Sequence, residues 1–171
     1  MDTVTPVDEL LFGLHATIER CGWMVMYVLG ERRRPPWAYT IGLSHRCRHP
    51  ELVVLGLDDR SSAGVLNRLA TRVDAGERLD ALPGGETVVD GSPCRIVPVH
   101  AEHWETDLFA AWVNYYGALG AIPDPAALQV VWADEAGRFP GDHDFDPSLR
   151  RHQRHLDRAP RARKPGEGEC V

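Results

Sequence analysis

The sequence predicts an α+β fold in which a mainly antiparallel sheet packs against two to three helices. Short apolar runs rich in strand-forming residues follow one another with short connections, which is typical of an antiparallel meander. Longer stretches carry apolar residues at helical spacing. A chain of 171 residues suits one domain with a sheet of about five to seven strands. The short strands and turn glycines leave a partly closed barrel as an alternative.

The first half of the chain opens with a helix that is followed by three strands. Apolar residues recur at helical spacing over 7–20, and Gly22 is suited to a left-handed cap at the end of that helix. Apolar runs then predict three strands, at 23–29, 37–43 and 52–57. We expect an antiparallel meander, with a basic, histidine-bearing loop at 45–49.

The second half alternates helices with short strands. Asp58 begins a helix whose apolar residues share one face and which ends at Ala75 and Gly76. Two short strands flank a turn at 90–93, and Pro98 places the second of them at a sheet edge or a bulge. A further helix and a last strand are predicted at 104–116 and 128–132.

The amino-acid composition of the chain changes after residue 140. We expect residues 1–140 to form a single α+β domain and residues 141–171 to form a polar, partly disordered C-terminal tail. The end of the chain, from Ala159 onward, is rich in proline, arginine, glycine and glutamate and has few apolar residues to bury, so we expect it to be dispensable for folding.

Composition argues against several classes of protein. The formal net charge of −6 argues against nucleic acid as the main partner. No apolar run approaches the roughly 20 residues that span a bilayer, and the N-terminus is acidic where signal peptides are basic. We therefore expect a cytoplasmic protein without a membrane partner. Four widely spaced cysteines predict free thiols rather than disulfides or a zinc site.

Several sequence blocks resemble one family. Gly22 and Trp23 precede a strand, two long blocks occupy 37–43 and 49–57, and a final block runs from 128–134 into 137–140. In this order they are similar to domain-of-unknown-function family 4262. The resemblance implies a small bacterial domain and assigns no catalytic residues. Members often carry an aromatic residue where this chain has Gly141, so that edge of any shared site differs here.

Histidines supply the candidate metal ligands. A divalent cation could be held by His100 and His103 together with His49 or Glu51, since imidazoles and a carboxylate are suitable ligands. The spacing is not the helical H-E-x-x-H pattern, and the alternative is that these histidines are capping or solvated residues.

A second group of candidates lies on two predicted strands. Aromatic walls with a few polar anchors are typical of small-ligand pockets, although the same aromatic residues can belong to the core. We expect the loop at 45–49, the junction at 100–103 and the strand end at 132–134 to converge on one cleft. The binding candidates are Tyr39, Thr40, His49, Glu51, His103, Gln129, Trp132 and Asp134.

These residues leave two functional classes open. The sequence favours a module that binds a small molecule or a protein partner, because no complete catalytic constellation is visible. The alternative is a small metal- or flavin-dependent enzyme that uses the region of His49, His100 and His103. The run of arginines at 32–34 is typical of a solvated turn, or with Arg46 and Arg48 forms an anion-binding rim. The cofactor, the ligand and the oligomeric state stay open.

Overall fold

The computed structural model describes residues 6–81 and 85–160 of the chain. Within these ranges, four α-helices occur in the order α1 (Pro6–Cys21), α2 (Leu43–Cys47), α3 (Asp59–Asp74) and α4 (Ala110–Leu119). The same residues form six strands, β1 (Met24–Val28), β2 (Trp37–Ile41), β3 (Glu51–Leu55), β4 (Glu86–Val89), β5 (Ser92–Pro98) and β6 (Ala127–Trp132). No helix within the described ranges has the length and apolar character needed to cross a bilayer.

The strands form one sheet in the order β1-β2-β3-β6-β5-β4. The first three strands are the predicted antiparallel meander. Strand β6 enters between β3 and β5, parallel to β3 and antiparallel to β5. The predicted α+β class with a mainly antiparallel sheet is therefore confirmed, and the sheet stays open rather than closing into the alternative barrel.

Helices cover both faces of the sheet. Alternate residues of a strand point to opposite faces, so Trp37 and Tyr39 of β2 pack with α1 and α4, whereas Ala38 packs with α3. On β3 the same alternation places Val53 on the face covered by α1 and α4 and Val54 on the face covered by α3. Strands β2 and β3 are consequently buried on both faces, which explains why their sequences are continuous apolar runs.

Local sequence features determine where α3 begins and where the β4–β5 hairpin turns. The Asp58 side chain accepts a hydrogen bond from the Ser61 amide at 2.8 Å and caps the first turn of α3. Asp90 and Gly91 both have positive φ, as the two-residue turn between Val89 and Ser92 requires.

The prediction for Pro98 needs a correction, because β4 and not β5 forms the edge of the sheet. The amides of β5 alternate in direction: that of Ile96 points toward Gly85, at the β4 side, and that of Val99 points toward Ala127 of β6. The missing amide of Pro98 would therefore point past the end of β4. Proline is tolerated in this inner strand because the ladder between β4 and β5, which ends at Glu86 and Arg95, does not include its missing N–H.

The C-terminal region is also corrected. Residues that we expect to begin a polar tail instead pack on the sheet, with Phe145, Gln153 and Leu156 all buried. Gln153 pairs with both backbone groups of Trp132, accepting from its amide at 2.9 Å and donating to its carbonyl at 2.8 Å. The remainder of the predicted tail, 161–171 with Cys170, lies outside the described residues. The other three cysteines are free thiols.

Candidate functional site

The buried carboxylate of Glu51 organises the end of the sheet at which β3 begins. Its Oε1 atom accepts hydrogen bonds from the Gly42 amide at 3.0 Å and from the Trp112 indole at 3.2 Å. Ser44 contributes two more, from its amide at 3.2 Å and its hydroxyl at 2.8 Å. Oε1 therefore receives four donors, which come from the segment 42–44 and from Trp112 in α4.

The second oxygen of Glu51 receives two further donors. Oε2 accepts from the Thr40 hydroxyl at 2.6 Å and from the Leu43 amide at 3.3 Å. The Thr40 hydroxyl in turn accepts from the Leu52 amide at 2.9 Å. Burial raises the pKa of Glu51, and the hydrogen bonds from Thr40, Ser44 and Gly42 act in the opposite direction. The side chain is completely buried with every polar atom paired.

The geometry of this network depends on Gly42. Its φ of 127° belongs to the region that favours glycine, and a Cβ there would lie 2.6 Å from the Gly22 carbonyl oxygen. Gly42 precedes α2 and has no side chain with which to cap it. Glu51 supplies the missing cap from the next strand, because its carboxylate accepts the amides of Gly42, Leu43 and Ser44.

His49 follows α2 and is also buried. Its Nδ1 lies 2.7 Å from the Pro50 carbonyl and must donate to it, since a carbonyl can only accept. Its Nε2 then accepts from the Leu79 amide at 3.2 Å. Burial lowers the pKa of His49, so the neutral ring with a proton on Nδ1 is the form that the structure holds.

A surface pocket of about 410 Å³, here called the His49 pocket, lies beside these residues. Its lining includes Ser44, His49 and Pro50 on one side and Pro123 and Ala126, before β6, on the other. Four charged residues complete it. Arg78 and Asp80 form an ion pair with each other, whereas Arg48 and Asp124 form none within the described part of the chain.

Other predicted site residues lie at the opposite end of the sheet. Glu51 and Ala127 are paired at the beginning of β3 and β6, whereas Trp132 ends β6 and donates from its indole to the Leu55 carbonyl at 2.9 Å. The strand end at 132–134 therefore does not converge with the loop at 45–49, and the single cleft that we expect is corrected. The parallel pairing of β6 with β3, which the sequence does not reveal, separates them.

Asp134, beyond Trp132, stabilises a turn. Its carboxylate accepts from the amides of Ala136 and Arg138, each at 2.9 Å, and pairs with the Arg138 side chain at 3.0 Å. Burial raises the pKa of Asp134, but the hydrogen bonds from Arg138, Asp146 and Ala136 outweigh it and the net pKa is lowered.

Two candidate ligand-binding residues instead hold other parts of this chain. The Tyr39 hydroxyl accepts from the Ala111 amide at 3.0 Å, at the beginning of α4, and burial raises its pKa to about 12. Gln129 donates to the Arg154 carbonyl and accepts from the Leu156 amide, both at 2.8 Å. Both side chains are buried and hold segments of this chain together.

The proposed metal ligands are not brought together. His103 lies 2.9 Å from the Arg158 carbonyl through its Nε2, and the Nδ1 of His100 accepts from the Glu102 amide at 3.3 Å. His49 uses both ring nitrogens elsewhere. Across 6–81 and 85–160, no group of three His, Cys, Asp or Glu side chains is arranged to hold a metal ion. The candidate site therefore consists of the His49 pocket and the Glu51 network behind it.

Some residues of this site cannot be identified from the sequence alone. Trp112 lies within the helix predicted at 104–116, and nothing in that pattern indicates that its indole donates to Glu51 across 61 positions of the chain. Arg78, Asp80 and Asp124 lie in connections with no recognisable pattern. Pro123, before Asp124, and Pro50, after His49, restrict the backbone of two connections. These prolines are the local sequence feature that indicates an ordered wall.

The neutral form of His49 predicts a pH dependence. Because the folded-state pKa lies below the ordinary value of 6.5, the unfolded state takes up this proton first, and the stability that His49 contributes is lost as the pH falls below about 6.5. We therefore expect the difference in unfolding free energy between wild type and His49→Gln to be largest above neutral pH and to shrink in acid.

Urea unfolding at several pH values measures this difference. The matched control is His45→Gln, which changes an exposed histidine two positions before Cys47 in α2. A gap between wild type and His49→Gln that grows on acidification would show that the folded protein prefers the charged ring.

Comparison with known proteins gives one match. A family model described as a domain of unknown function (DUF4262) matches residues 17–146. This range includes the Glu51 network and all residues of the His49 pocket. No curated protein and no solved structure matches the chain.

Proposed function

The chain belongs to the DUF4262 family, whose function is unknown, and on the geometry of the site we propose that it is a non-catalytic binding module with a small polar molecule as its ligand. The ligand occupies the His49 pocket. The observation that carries this proposal is a concave pocket beside a wall that is fixed by buried hydrogen bonds. Two charged residues of this pocket have no ion-pair partner in the described part of the chain.

Rigidity of the wall supports a binding role. Glu51 fixes the backbone of 42–44, and the ring of His49 ties the chain after α2 to Leu79. A preorganised wall lowers the entropy lost when a ligand binds. The volume of about 410 Å³ lies within the range of about 300–1,000 Å³ that is usual for small-molecule sites.

The lining favours a ligand with both an acidic and a basic group. Arg48 offers an exposed guanidinium and Asp124 an exposed carboxylate, and neither has an ion-pair partner in the described ranges. Pro50, Pro123 and Ala126 provide apolar surface between them. A free amino acid or a similar zwitterion matches this combination, because its carboxylate can pair with Arg48 and its ammonium with Asp124.

The enzymatic alternative has less support from the geometry. Ser44 lies 2.8 Å from the Glu51 carboxylate, as a nucleophile lies beside its base. However, Glu51 already accepts from six donors and four of these are N–H groups, which cannot take a proton. Accepting the Ser44 proton would break hydrogen bonds within a fully buried network, so Ser44 is poorly placed to be activated.

The proposal is tested by titrating ¹⁵N-labelled protein with each of the common amino acids and following amide shifts. We expect at least one to cause saturable shifts at Ser44, Arg48 and Asp124 with a dissociation constant below about 1 mM. Arg48→Ala and Asp124→Ala should each weaken binding, whereas the control Arg60→Ala, in an exposed position on α3, should not. Shifts confined to other surfaces, or none, would contradict the proposal.

A further inference from the structure

A second groove, here called the arginine groove, lies at the other end of the sheet. It has a volume of about 440 Å³ and is formed by the β1–β2 connection, 30–36, together with Arg151 and His152 from the C-terminal segment. The Arg32–Arg34 run thus meets arginine from a distant part of the chain. Arg46 and Arg48 are not part of it, since Arg46 pairs with Asp74 at 2.6 Å and Arg48 lines the His49 pocket.

The wall contributed by residues 30–36 has a defined conformation. Glu31 and Arg34 exchange two backbone hydrogen bonds, at 2.8 and 3.0 Å, which close a tight turn. Two prolines follow and restrict the backbone before β2 begins at Trp37. The consecutive arginines therefore project from a short, constrained loop rather than from a flexible segment.

The opposite wall is fixed equally well. Gly56 has φ of 80°, and a Cβ at this position would lie 2.5 Å from the His152 carbonyl oxygen, so the C-terminal segment runs directly against the backbone after β3. The next residue, Gln153, is held to Trp132 by two hydrogen bonds. Arg151 is consequently carried on a backbone that is anchored on both the β3 and β6 sides.

Basic residues outnumber acidic residues in the lining of this groove. Its lining contains four arginines and one acidic residue, Glu31, in a chain whose formal net charge is −6. Arg34 is neutralised by Asp107 through bonds of 2.7 and 2.8 Å and lies over the Trp37 ring. Arg32 and Arg151 have no acidic partner among the described residues.

A second surface pocket provides a useful contrast. The pocket at the β4 edge also contains two arginines, but Arg68 pairs with Asp90, and Arg72 pairs with Glu77 at 2.6 Å. There the cations stabilise the fold. In the arginine groove, by contrast, Arg32 and Arg151 have no such partner within the described ranges. Unpaired guanidinium groups of this kind attract an anion.

We propose that the arginine groove binds a small molecule that carries phosphate groups. Guanidinium groups donate in pairs to phosphate oxygens, and Arg32 and Arg151 approach the groove from its two walls. The volume suits a ligand of two linked phosphates or a phosphorylated metabolite. This site is separate from the His49 pocket and does not depend on its function, because the two lie at opposite ends of β3.

Calorimetric titration with inorganic pyrophosphate tests the proposal. The key variant is Arg32→Gln/Arg151→Gln, and the control Arg20→Gln/Arg60→Gln removes the same charge from exposed positions on α1 and α3. Since the hydrogen bonds from a guanidinium to phosphate oxygens are charge-assisted and stronger than neutral ones, we expect the groove variant to weaken binding by at least about tenfold. The control should change it less than about twofold. Circular dichroism establishes that both variants are folded.

Three outcomes would overturn the proposal. Pyrophosphate that does not bind wild type at low salt shows that the groove is not a phosphate site. An equal loss of affinity in both double variants shows that only net charge attracts the anion. Tight binding of a short single-stranded DNA without binding of pyrophosphate shows that the groove serves a nucleic acid instead, with the strong salt dependence that such binding has.

Discussion

Glu51→Ala is expected to lower the free energy of unfolding by about 4 kcal/mol, because it leaves several buried donors without an acceptor at about 1–3 kcal/mol each. The amides of Gly42, Leu43 and Ser44 and the indole of Trp112 all donate to this carboxylate. None of these N–H groups can be satisfied by alanine. Urea unfolding followed by circular dichroism measures the loss, with the slope of the unfolding transition serving as the check on two-state behaviour.

Glu51→Gln separates the hydrogen bonds from the charge. The glutamine oxygen can keep the donors that point at Oε1, but its NH₂ group would face the Leu43 amide, which is also a donor. We therefore expect a smaller loss than for alanine, of about 1–3 kcal/mol. The control is Glu135→Gln at an exposed position, with an effect within about 0.5 kcal/mol. If Glu51→Ala were as mild as the control, the network would not stabilise the fold.

Elements with a complete local signal are predictable from this sequence. Helix α3 begins next to its capping residue Asp58 and ends before Gly76, where the pattern places both ends. The β1–β3 meander follows from three apolar runs whose connections are too short for a parallel arrangement. The helix predicted from 104 begins later, at Ala110. The residues before it form two 3₁₀ turns, which are separated by Thr106 because its backbone is extended.

Pairings between distant segments could not be predicted. The apolar run of β6 is compatible with an edge or an inner position, and only the folded sheet shows that it lies between β3 and β5. The C-terminal segment has few apolar residues, yet it is held by the side chains of Gln129 and Gln153. Hydrogen bonds between an amide side chain and the backbone of a strand leave no periodic pattern in the sequence.

The candidate site was predicted only in part, for a related reason. Glu51 stands out as a charged residue opening an apolar strand, and Thr40 and His49 lie in the same blocks. Their partners depend on the fold: α2 is a short helix within a predicted loop, and Trp112 comes from another layer. A buried carboxylate needs donors, so its position in the sequence predicts that a network exists without identifying its members.

Trp112→Ala is expected to reduce the unfolding free energy by about 3–5 kcal/mol, the usual effect of removing a buried aromatic side chain. Its ring is 1% exposed and packs against Trp104 and Tyr116 with centroid distances of 4.6 and 4.8 Å. The indole also donates to Glu51, so the variant creates a cavity and removes one donor from the network. Urea unfolding against Val113→Ala, a partly exposed position on the same helix, measures this loss.

Trp112→Phe distinguishes packing from the hydrogen bond. Phenylalanine keeps an aromatic ring between Trp104 and Tyr116 but cannot donate to Glu51. If α4 is tied to β3 through this bond, combining Trp112→Phe with Glu51→Ala should cost less than the sum of the single losses, by about 0.5 kcal/mol or more, because alanine removes the acceptor of the indole N–H. Strict additivity would show that the indole contributes only packing. A loss below about 1 kcal/mol for Trp112→Ala would contradict the buried position of α4 itself.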